Sequence, residues 1–73
     1  MMKVEIVTGP CCPKCMQLKM ILGRKGILYR EIAGDSEEGK ALMEQSGLQS
    51  YPLVKKNDEF LAGSDALGWA MKL

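Results

Sequence analysis

Residues 3–15, KVEIVTGPCCPKC, place two spaced cysteines directly after a strand pattern. Lys3–Thr8 is rich in β-branched residues and nearly alternates polar with apolar side chains, which predicts a β-strand, and Gly9-Pro10 ends it. A helix is predicted from Pro13 to about Lys25, because proline suits a first turn, where its missing N–H has no intrahelical partner. The Cys12-x-x-Cys15 motif therefore lies where a strand gives way to a helix.

The next segment predicts a second strand parallel to the first. Leu18, Ile21 and Leu22 recur at helical spacing, and Gly26 is the expected helix stop. Ile27–Ile32 (ILYREI) is the predicted second strand. Strand, helix and strand within about 30 residues form a βαβ unit, so the two strands are expected to be parallel with a right-handed crossover.

A second helix is predicted after this unit. Asp35 is expected to cap it, with Glu38 as its capping-box partner. The acidic residues of its first turn suit the positive end of the helix dipole. Gly47 is the expected end of the helix.

The remaining residues predict a hairpin and a short helix. Leu53–Lys56 and Glu59–Leu61 are the expected strands, joined by a turn at Asn57-Asp58. Ser64 is expected to cap a helix over Asp65–Lys72. The complete order is β-α-β-α-β-β-α, which is an α/β fold.

The composition is that of a globular chain, with 47% hydrophobic and 26% charged residues. A length of 73 residues favours a single domain, residues 1–73. The formal net charge of +1 argues against a nucleic-acid partner. No apolar run reaches the ~18–20 residues of a membrane span and no secretory signal is evident, so we expect no membrane partner and a cytoplasmic location.

The three cysteines all lie within residues 11–15, and an odd, clustered set of thiols indicates redox chemistry or metal binding rather than a disulfide framework. At a helix N-terminus, unpaired N–H groups and the helix dipole stabilise a thiolate, and Lys14 adds a cation. Cys12, at the cap, is therefore the expected nucleophile, and Cys15, one turn further in, is the thiol that releases the substrate. Pro13 stiffens the loop between them.

Cys11, Trp69 and the methionines of the predicted helices are interpreted as structural or accessory residues. Cys11 is most simply a spare thiol, with a regulatory thiol or a third metal ligand as alternatives. Trp69 is expected to anchor the last helix against the sheet. Core packing, rather than copper binding, is expected of the methionines in the predicted helices, which are Met16, Met20, Met43 and Met71.

The sequence Tyr51-Pro52 precedes the third predicted strand. Proline is an awkward start for a core strand, and a cis peptide bond would explain it. Such a bond would leave the Tyr51 N–H and C=O free to pair with an extended peptide or thiol ligand. A trans proline at a strand edge is the alternative.

Three motifs together resemble the glutaredoxin branch of the thioredoxin-fold family over nearly the whole chain. They are Cys12-Pro13-Lys14-Cys15, Tyr51-Pro52, and LAGSDAL at residues 61–67, which is similar to the family's segment entering the last helix. The resemblance implies a thioredoxin-like α/β fold, in which helices flank a four-stranded mixed sheet. It also implies that Cys12 is the nucleophile and Cys15 the resolving thiol, with Pro13, Lys14 and a cis Pro52 in support.

The resemblance further implies glutathione as a co-substrate and no bound prosthetic group or metal. Tyr51 would hold glutathione through its backbone, and Ser64 and Asp65 would bind the γ-glutamyl end at a helix N-terminus. Helix capping is the other interpretation of Ser64 and Asp65. The chain departs from the family pattern where Lys14 replaces a tyrosine, Gly9 replaces a lysine, and Tyr51 replaces a valine.

The implied function is that of a thiol-disulfide oxidoreductase, which reduces protein disulfides or glutathione mixed disulfides through Cys12 and Cys15. The chain is short, like the viral and bacterial glutaredoxins that reduce ribonucleotide reductase, so that enzyme is an expected partner. Glutathione or a flavoprotein reductase would regenerate the dithiol. The protein is expected to act as a monomer.

A soft-metal carrier is the alternative from a different class of protein, because thiolates suit Cu(I) or Zn(II). Small metal chaperones are expected to run β-α-β-β-α-β, an order that this chain does not follow. The chain has no histidine and no fourth cysteine, so it offers no closed tetrahedral zinc site. An iron–sulfur cluster bridging a dimer, held by Cys12 and bound glutathione, is a further alternative.

Overall fold

A computed structural model describes residues 3–73 of the chain. Its helices and strands follow the predicted order β-α-β-α-β-β-α, which confirms the fold class. The elements are β1 (Val4–Thr8), α1 (Pro13–Arg24), β2 (Arg30–Ala33), α2 (Glu37–Ser46), β3 (Leu53–Lys56), β4 (Glu59–Ala62) and α3 (Ser64–Met71). No helix within residues 3–73 is long and apolar enough to cross a membrane.

The four strands form one mixed sheet in the order β2-β1-β3-β4. Strands β1 and β2 are parallel, with Thr8 beside Ala33, while β3 is antiparallel to both of its neighbours. Leu53, the first residue of β3, pairs with Val7 on one side and Ala62 on the other. The ends of β1, β2 and β4 and the start of β3 therefore meet at one end of the sheet, which we call the site edge.

The sheet separates two hydrophobic clusters, because alternate strand residues face opposite sides. Helices α1 and α3 cover one face and α2 covers the other. The first cluster is centred on Val4, Ile6, Leu18, Leu22, Val54, Ala66 and Ala70. The second is centred on Val7, Ile32, Leu42 and Leu53.

The predicted second strand begins too early. After α1 the N–H of Gly26, with φ of +69°, binds the Gly23 carbonyl at 3.2 Å, and the N–H of Ile27 binds the Leu22 carbonyl at 3.0 Å. This pair of bonds is a Schellman motif, which commits Ile27 to the end of the helix. Leu28, which follows, is 89% exposed, and β2 begins only at Arg30.

The predicted capping box of α2 is wrong. Ser36, not Asp35, is the N-cap, and its Oγ accepts a hydrogen bond from the Gly39 N–H at 3.0 Å. The Glu38 carboxylate instead accepts two hydrogen bonds of 2.6 Å from the guanidinium of Arg30 on β2. The Glu38 side chain, which the local pattern assigned to the cap, therefore forms an ion pair with a residue of another element instead. Gly47 ends the helix in a left-handed conformation, as predicted.

Two expectations about α3 and the methionines are also corrected. The N-cap of α3 is Gly63, so the helix begins at Ser64, whose side chain makes no capping bond. Met16 and Met20 are exposed, because other residues of α1 form the face of the helix that packs against the core. Met71 is exposed on α3. Of the four methionines, only Met43 packs against a core cluster.

Two groups of ion pairs tie helices to β2. Glu31 accepts hydrogen bonds from Lys19 of α1 and the Thr8 hydroxyl, both at 3.0 Å, and these bonds lower the pKa of its carboxyl. The bonds from Arg30 likewise lower the pKa of the Glu38 carboxyl. Arg30 also contacts Glu5 on β1 at 3.0 Å, so it joins β1, β2 and α2.

Trp69 is half-buried and packs against the first cluster, as predicted for an anchor of the last helix. The Lys56 ammonium of β3 lies 5.8 Å from the centroid of the indole ring. This cation–π contact adds to the attachment of α3 to the sheet.

Candidate active site

Cys12 and Cys15 form a disulfide at the site edge, where β1 passes into α1. Cys12 is the N-cap residue of the helix, with extended backbone angles, and Pro13 is the first helical residue. The Cα atoms of the two cysteines are 5.3 Å apart, within the usual range for a disulfide. The strand-to-helix turn therefore brings the two thiols together, as the spacing predicts.

The surroundings of Cys12 favour a negatively charged sulfur. Its Sγ accepts a hydrogen bond of 3.2 Å from the backbone N–H of Cys15, which satisfies one of the free donors at the start of α1. The first turn of the helix has no acidic residue, and it contains the exposed cationic side chain of Lys14. Hydrogen bonding, the helix dipole and a nearby cation all stabilise a thiolate over a thiol.

The two cysteines differ in exposure. Cys12 is half-buried, whereas Cys15 is 3% exposed and faces the core side of α1. An external disulfide can therefore reach the sulfur of Cys12 more easily than that of Cys15.

Cys11 lies outside this pair. It is a free, exposed thiol with φ of +51°, an uncommon backbone conformation for a residue with a side chain. Its left-handed conformation turns the chain immediately before the helix cap.

The Tyr51-Pro52 segment lies at the same site edge, and its peptide bond is cis, as predicted. The Pro52 carbonyl accepts a hydrogen bond of 3.0 Å from the Gly63 N–H, which joins this segment to the start of α3. Within residues 3–73, no hydrogen bond uses the Tyr51 N–H or C=O. These two groups are available to an extended ligand.

The Tyr51 side chain occupies a position that the sequence pattern did not predict. Its ring packs against the backbone of Gly9, after β1, and of Gly34, after β2. A Cβ atom on Gly9 would lie 2.7 Å from the ring Cδ2, and one on Gly34 would lie 2.6 Å from the hydroxyl oxygen. The ring therefore needs glycine at both positions, and two glycines directly after two strands are the only sequence signal of it.

Ser64 and Asp65 lie at the exposed start of α3, which also belongs to the site edge. The first backbone N–H groups of a helix attract anions, and the acidic side chain of Asp65 is favourable there. The register of β3 and β4 and the bond between Gly63 and Pro52 hold this helix start beside the cis proline. The predicted site residues thus come from three separate segments that converge on one end of the sheet.

No group of three or more histidine, cysteine or acidic side chains in residues 3–73 is arranged to hold a metal ion. The dithiol is the chemically reactive feature of the site edge. Its position at the start of α1 defines the chain as a thiol-disulfide oxidoreductase of the thioredoxin fold.

The glutaredoxin family model matches residues 4–61, and the chain belongs to this family. It is 38% identical to a probable glutaredoxin of Synechocystis sp. over 77 residues, covering 97% of this chain and 88% of the relative. It is 30% identical to Glutaredoxin 3 of Escherichia coli, covering 92% of this chain and 83% of that protein. Among solved structures, the thioredoxin-like protein BC3987 superposes with a TM-score of 0.82 at 27% identity, covering 97% of this chain and all of that one.

Proposed function

We propose that this protein reduces protein disulfides and glutathione mixed disulfides, with Cys12 as the nucleophile and Cys15 as the resolving thiol. The observation that carries the proposal is the Cys12 sulfur at the cap of α1, which accepts the Cys15 N–H and lies at bonding distance from the Cys15 sulfur. Pro13 and Lys14 support the site by starting the helix and adding a cation.

The reaction proceeds by two thiol–disulfide exchanges. The Cys12 thiolate attacks one sulfur of the substrate disulfide, which forms a mixed disulfide and releases the other substrate sulfur as a thiol after protonation. The Cys15 thiolate then attacks the Cys12 sulfur and releases the second substrate thiol. The substrate gains two electrons and two protons, and the protein is left with the Cys12–Cys15 disulfide.

Glutathione is the proposed reductant that restores the dithiol, two molecules being oxidised to one glutathione disulfide. The unpaired N–H and C=O of Tyr51, beside the cis Pro52, can pair with the glutathione backbone. The N-terminus of α3, with Ser64 and Asp65, can bind the γ-glutamyl end. The family membership and the convergence of these segments support this assignment.

Disulfide-containing proteins are the proposed partners, and ribonucleotide reductase is one candidate. Support comes from the family and from the resemblance to small glutaredoxins that serve that enzyme. We further propose that the protein works as a monomer in the cytoplasm.

The source of electrons is tested by a coupled assay on a glutathione mixed disulfide and on a protein disulfide. We expect turnover with glutathione, NADPH and glutathione reductase. The proposal on glutathione is wrong if only NADPH and thioredoxin reductase sustain turnover. Asp65→Ala is expected to raise the KM for glutathione several-fold, whereas Asp58→Ala, in the turn between β3 and β4 at the other end of the sheet, is the matched control.

The roles of the two cysteines are tested by serine variants in the same assay. Cys12→Ser is expected to abolish both activities, because it removes the attacking sulfur. Cys15→Ser is expected to keep activity on the glutathione mixed disulfide, which a second glutathione can resolve, and to lose activity on the protein disulfide. Equal loss in both assays with Cys15→Ser would contradict the assignment.

A further inference from the structure

A groove lies between α1 and α3, on the outer side of these two helices. It has a volume of about 270 Å³ and is lined by Gln17, Met20, Ile21 and Arg24 of α1 and by Met71 of α3. These residues come from the middle and end of α1 and from the last residue of α3, whereas both helices begin at the site edge. The groove is therefore separate from the dithiol, and nothing in the function derived above uses it.

The α1 wall of the groove faces away from the buried side of the helix. Its four residues are spaced at i, i+3, i+4 and i+7, so they lie along one side of α1, while Leu18 and Leu22 face the core. Met20 is 58% exposed and Met71 is 66% exposed, although both side chains are apolar. Methionine is flexible and polarisable, and it is common on surfaces that bind apolar partners. The two methionines thus give the groove an adaptable apolar surface.

The groove is also cationic. Arg24 lines it, and the Arg24 guanidinium forms no ion pair with any residue from 3 to 73. The ammonium of Lys25 donates to the carbonyl oxygens of Met71 at 3.0 Å and Leu73 at 2.5 Å, which ties the end of α1 to the end of α3. Among the described residues, no acidic side chain lines the groove. An occupant with carboxylates beside apolar side chains complements such a surface.

The shape and charge of the groove favour one kind of occupant. Two-fold pairing with a second copy of the chain would bring the same patch of each copy together, so that one Arg24 would oppose another. A bilayer is met by apolar residues that protrude into it, whereas the apolar surface here is concave. An amphipathic helix fits, because its apolar side chains enter a groove between two helices at i, i+3 or i+4, and i+7.

We propose that the groove between α1 and α3 binds an acidic amphipathic helix of a partner protein. Apolar side chains of that helix pack between Met20 and Met71, and one of its carboxylates pairs with Arg24. Because the groove is separate from the site edge, the bound helix leaves Cys12 accessible. The partner and a disulfide substrate can thus occupy the protein together. This docking does not depend on the reaction proposed for Cys12.

The probe is a synthetic peptide of about 15 residues, a length at which an isolated helix begins to be stable. It has leucine at every third or fourth position, glutamate beside the leucines, and alanine elsewhere. A peptide with lysine in place of glutamate is the charge control, and a scrambled peptide of the same composition is the pattern control. Titrations follow the methionine methyl NMR signals of the full chain, which report both the affinity and the place of binding.

We expect the acidic peptide to shift the methyl signals of Met20 and Met71 and to bind at least roughly ten-fold tighter than either control peptide. Arg24→Glu and Met20→Gln are each expected to weaken its binding roughly ten-fold, as substitutions of central interface residues do. Lys40→Glu, which reverses a charge on α2, and Met16→Gln, which replaces a 63% exposed methionine of α1 outside the groove, are the matched controls. Both should bind as the wild type does. Circular dichroism establishes that each variant is folded.

Unchanged methyl signals of Met20 and Met71 would overturn the proposal, and so would equal binding of the acidic, lysine and scrambled peptides. Saturating peptide should leave the rate of Cys12 alkylation in the reduced protein unchanged, and a large fall in this rate would contradict a site separate from the dithiol. The other occupants have their own signatures. Self-association that Met20→Gln abolishes would identify a second copy, and binding to phosphatidylcholine vesicles with about a quarter phosphatidylserine, without binding to the peptide, would identify a membrane. Either result would overturn the proposal.

Discussion

At the scale of single residues, the site depends on two close contacts, one made by the sulfur of Cys12 and one made by the ring of Tyr51. Cys12 supplies its sulfur to the free N–H of Cys15, so the reactive atom and the start of α1 stabilise each other. The Tyr51 ring packs against Gly9 and Gly34, where no other residue type leaves room for it. The first contact is local to the start of α1, whereas the second joins three segments of the chain.

Gly9→Ala is predicted to destabilise the protein by about 1–3 kcal/mol, the usual cost of overpacking. The added Cβ would meet the Tyr51 ring at Cδ2 and, at 3.2 Å, at Cγ, so a simple swing of the ring does not relieve the clash. Urea unfolding measures the change. In a Tyr51→Ala background the same substitution should cost close to nothing.

The matched control for this cycle is Gly68→Ala in α3, where an added Cβ meets no atom within 4 Å. This substitution is expected to be neutral or to stabilise by up to about 1 kcal/mol, because alanine is the better helix former. Strict additivity of Gly9→Ala and Tyr51→Ala would contradict the contact between ring and glycine.

At the scale of helices and strands, the hydrophobic pattern determines where an element lies, and tertiary partners determine where it starts. Leu18 and Leu22, spaced at helical intervals, predict the buried face of α1 correctly. The start of α2 is set by Ser36, whose hydroxyl accepts the Gly39 N–H and donates to the Ala33 carbonyl at 2.6 Å. The second of these bonds ties the cap to the end of β2.

Ser36→Ala is predicted to destabilise the protein by about 1 kcal/mol, the typical cost of losing an N-cap. Asp35→Ala is the matched control and is expected to change the free energy of unfolding by less than about 0.5 kcal/mol, as for other surface substitutions. Thermal and urea unfolding of the two variants measure the difference. A larger loss for Asp35→Ala would mean that the local capping pattern, and not the observed bond, holds the start of α2.

At the scale of the whole molecule, a four-stranded sheet between two helical layers brings four loop segments to one end. The sequence order predicts the parallel βαβ unit and the hairpin, whereas the four-stranded mixed sheet between helices was implied by the resemblance to the glutaredoxin branch. Cys12 and Cys15 are predictable from the sequence as well, since a short motif and a strand-to-helix junction place them.

The position of the Tyr51 ring was not predictable, because it depends on three segments that meet only in the folded chain. The exposure of Met16 and Met20 was missed because their apolar character gives no sign of which face of α1 turns inward. Cys15, Leu18 and Leu22 take that inward face. Sequence patterns thus located the reactive atoms, whereas the walls around them required the tertiary structure.

The stability of the whole protein is predicted to fall as the pH falls below about 4.5. The pKa of Glu31 is lowered by Lys19 and Thr8, and that of Glu38 by Arg30. A carboxyl whose folded pKa is depressed contributes stability above its unfolded pKa, and this contribution is lost as the pH falls through the folded pKa. The effect is modest because these ion pairs are exposed to solvent.

Urea unfolding between pH 7 and pH 3 tests this linkage. A Glu31→Gln, Glu38→Gln variant should be less stable than the wild type at pH 7 and should lose less stability on acidification. Glu44→Gln is the control, since its carboxylate forms no ion pair within residues 3–73, and it should follow the wild-type profile. If the free energy of unfolding of the double variant falls with pH as steeply as that of the wild type, these two carboxylates are excluded as the source of the acid sensitivity.

The central claim is that the start of α1 keeps the sulfur of Cys12 ionised near neutral pH. Its most direct test is the rate of iodoacetamide alkylation of the reduced Cys11→Ser protein as a function of pH, with the modified residue identified by peptide mass spectrometry. The account predicts that Cys12 alkylates with a pKa well below the ~8.5 of a free cysteine. A pKa of Cys12 at or above that of a free cysteine would contradict it.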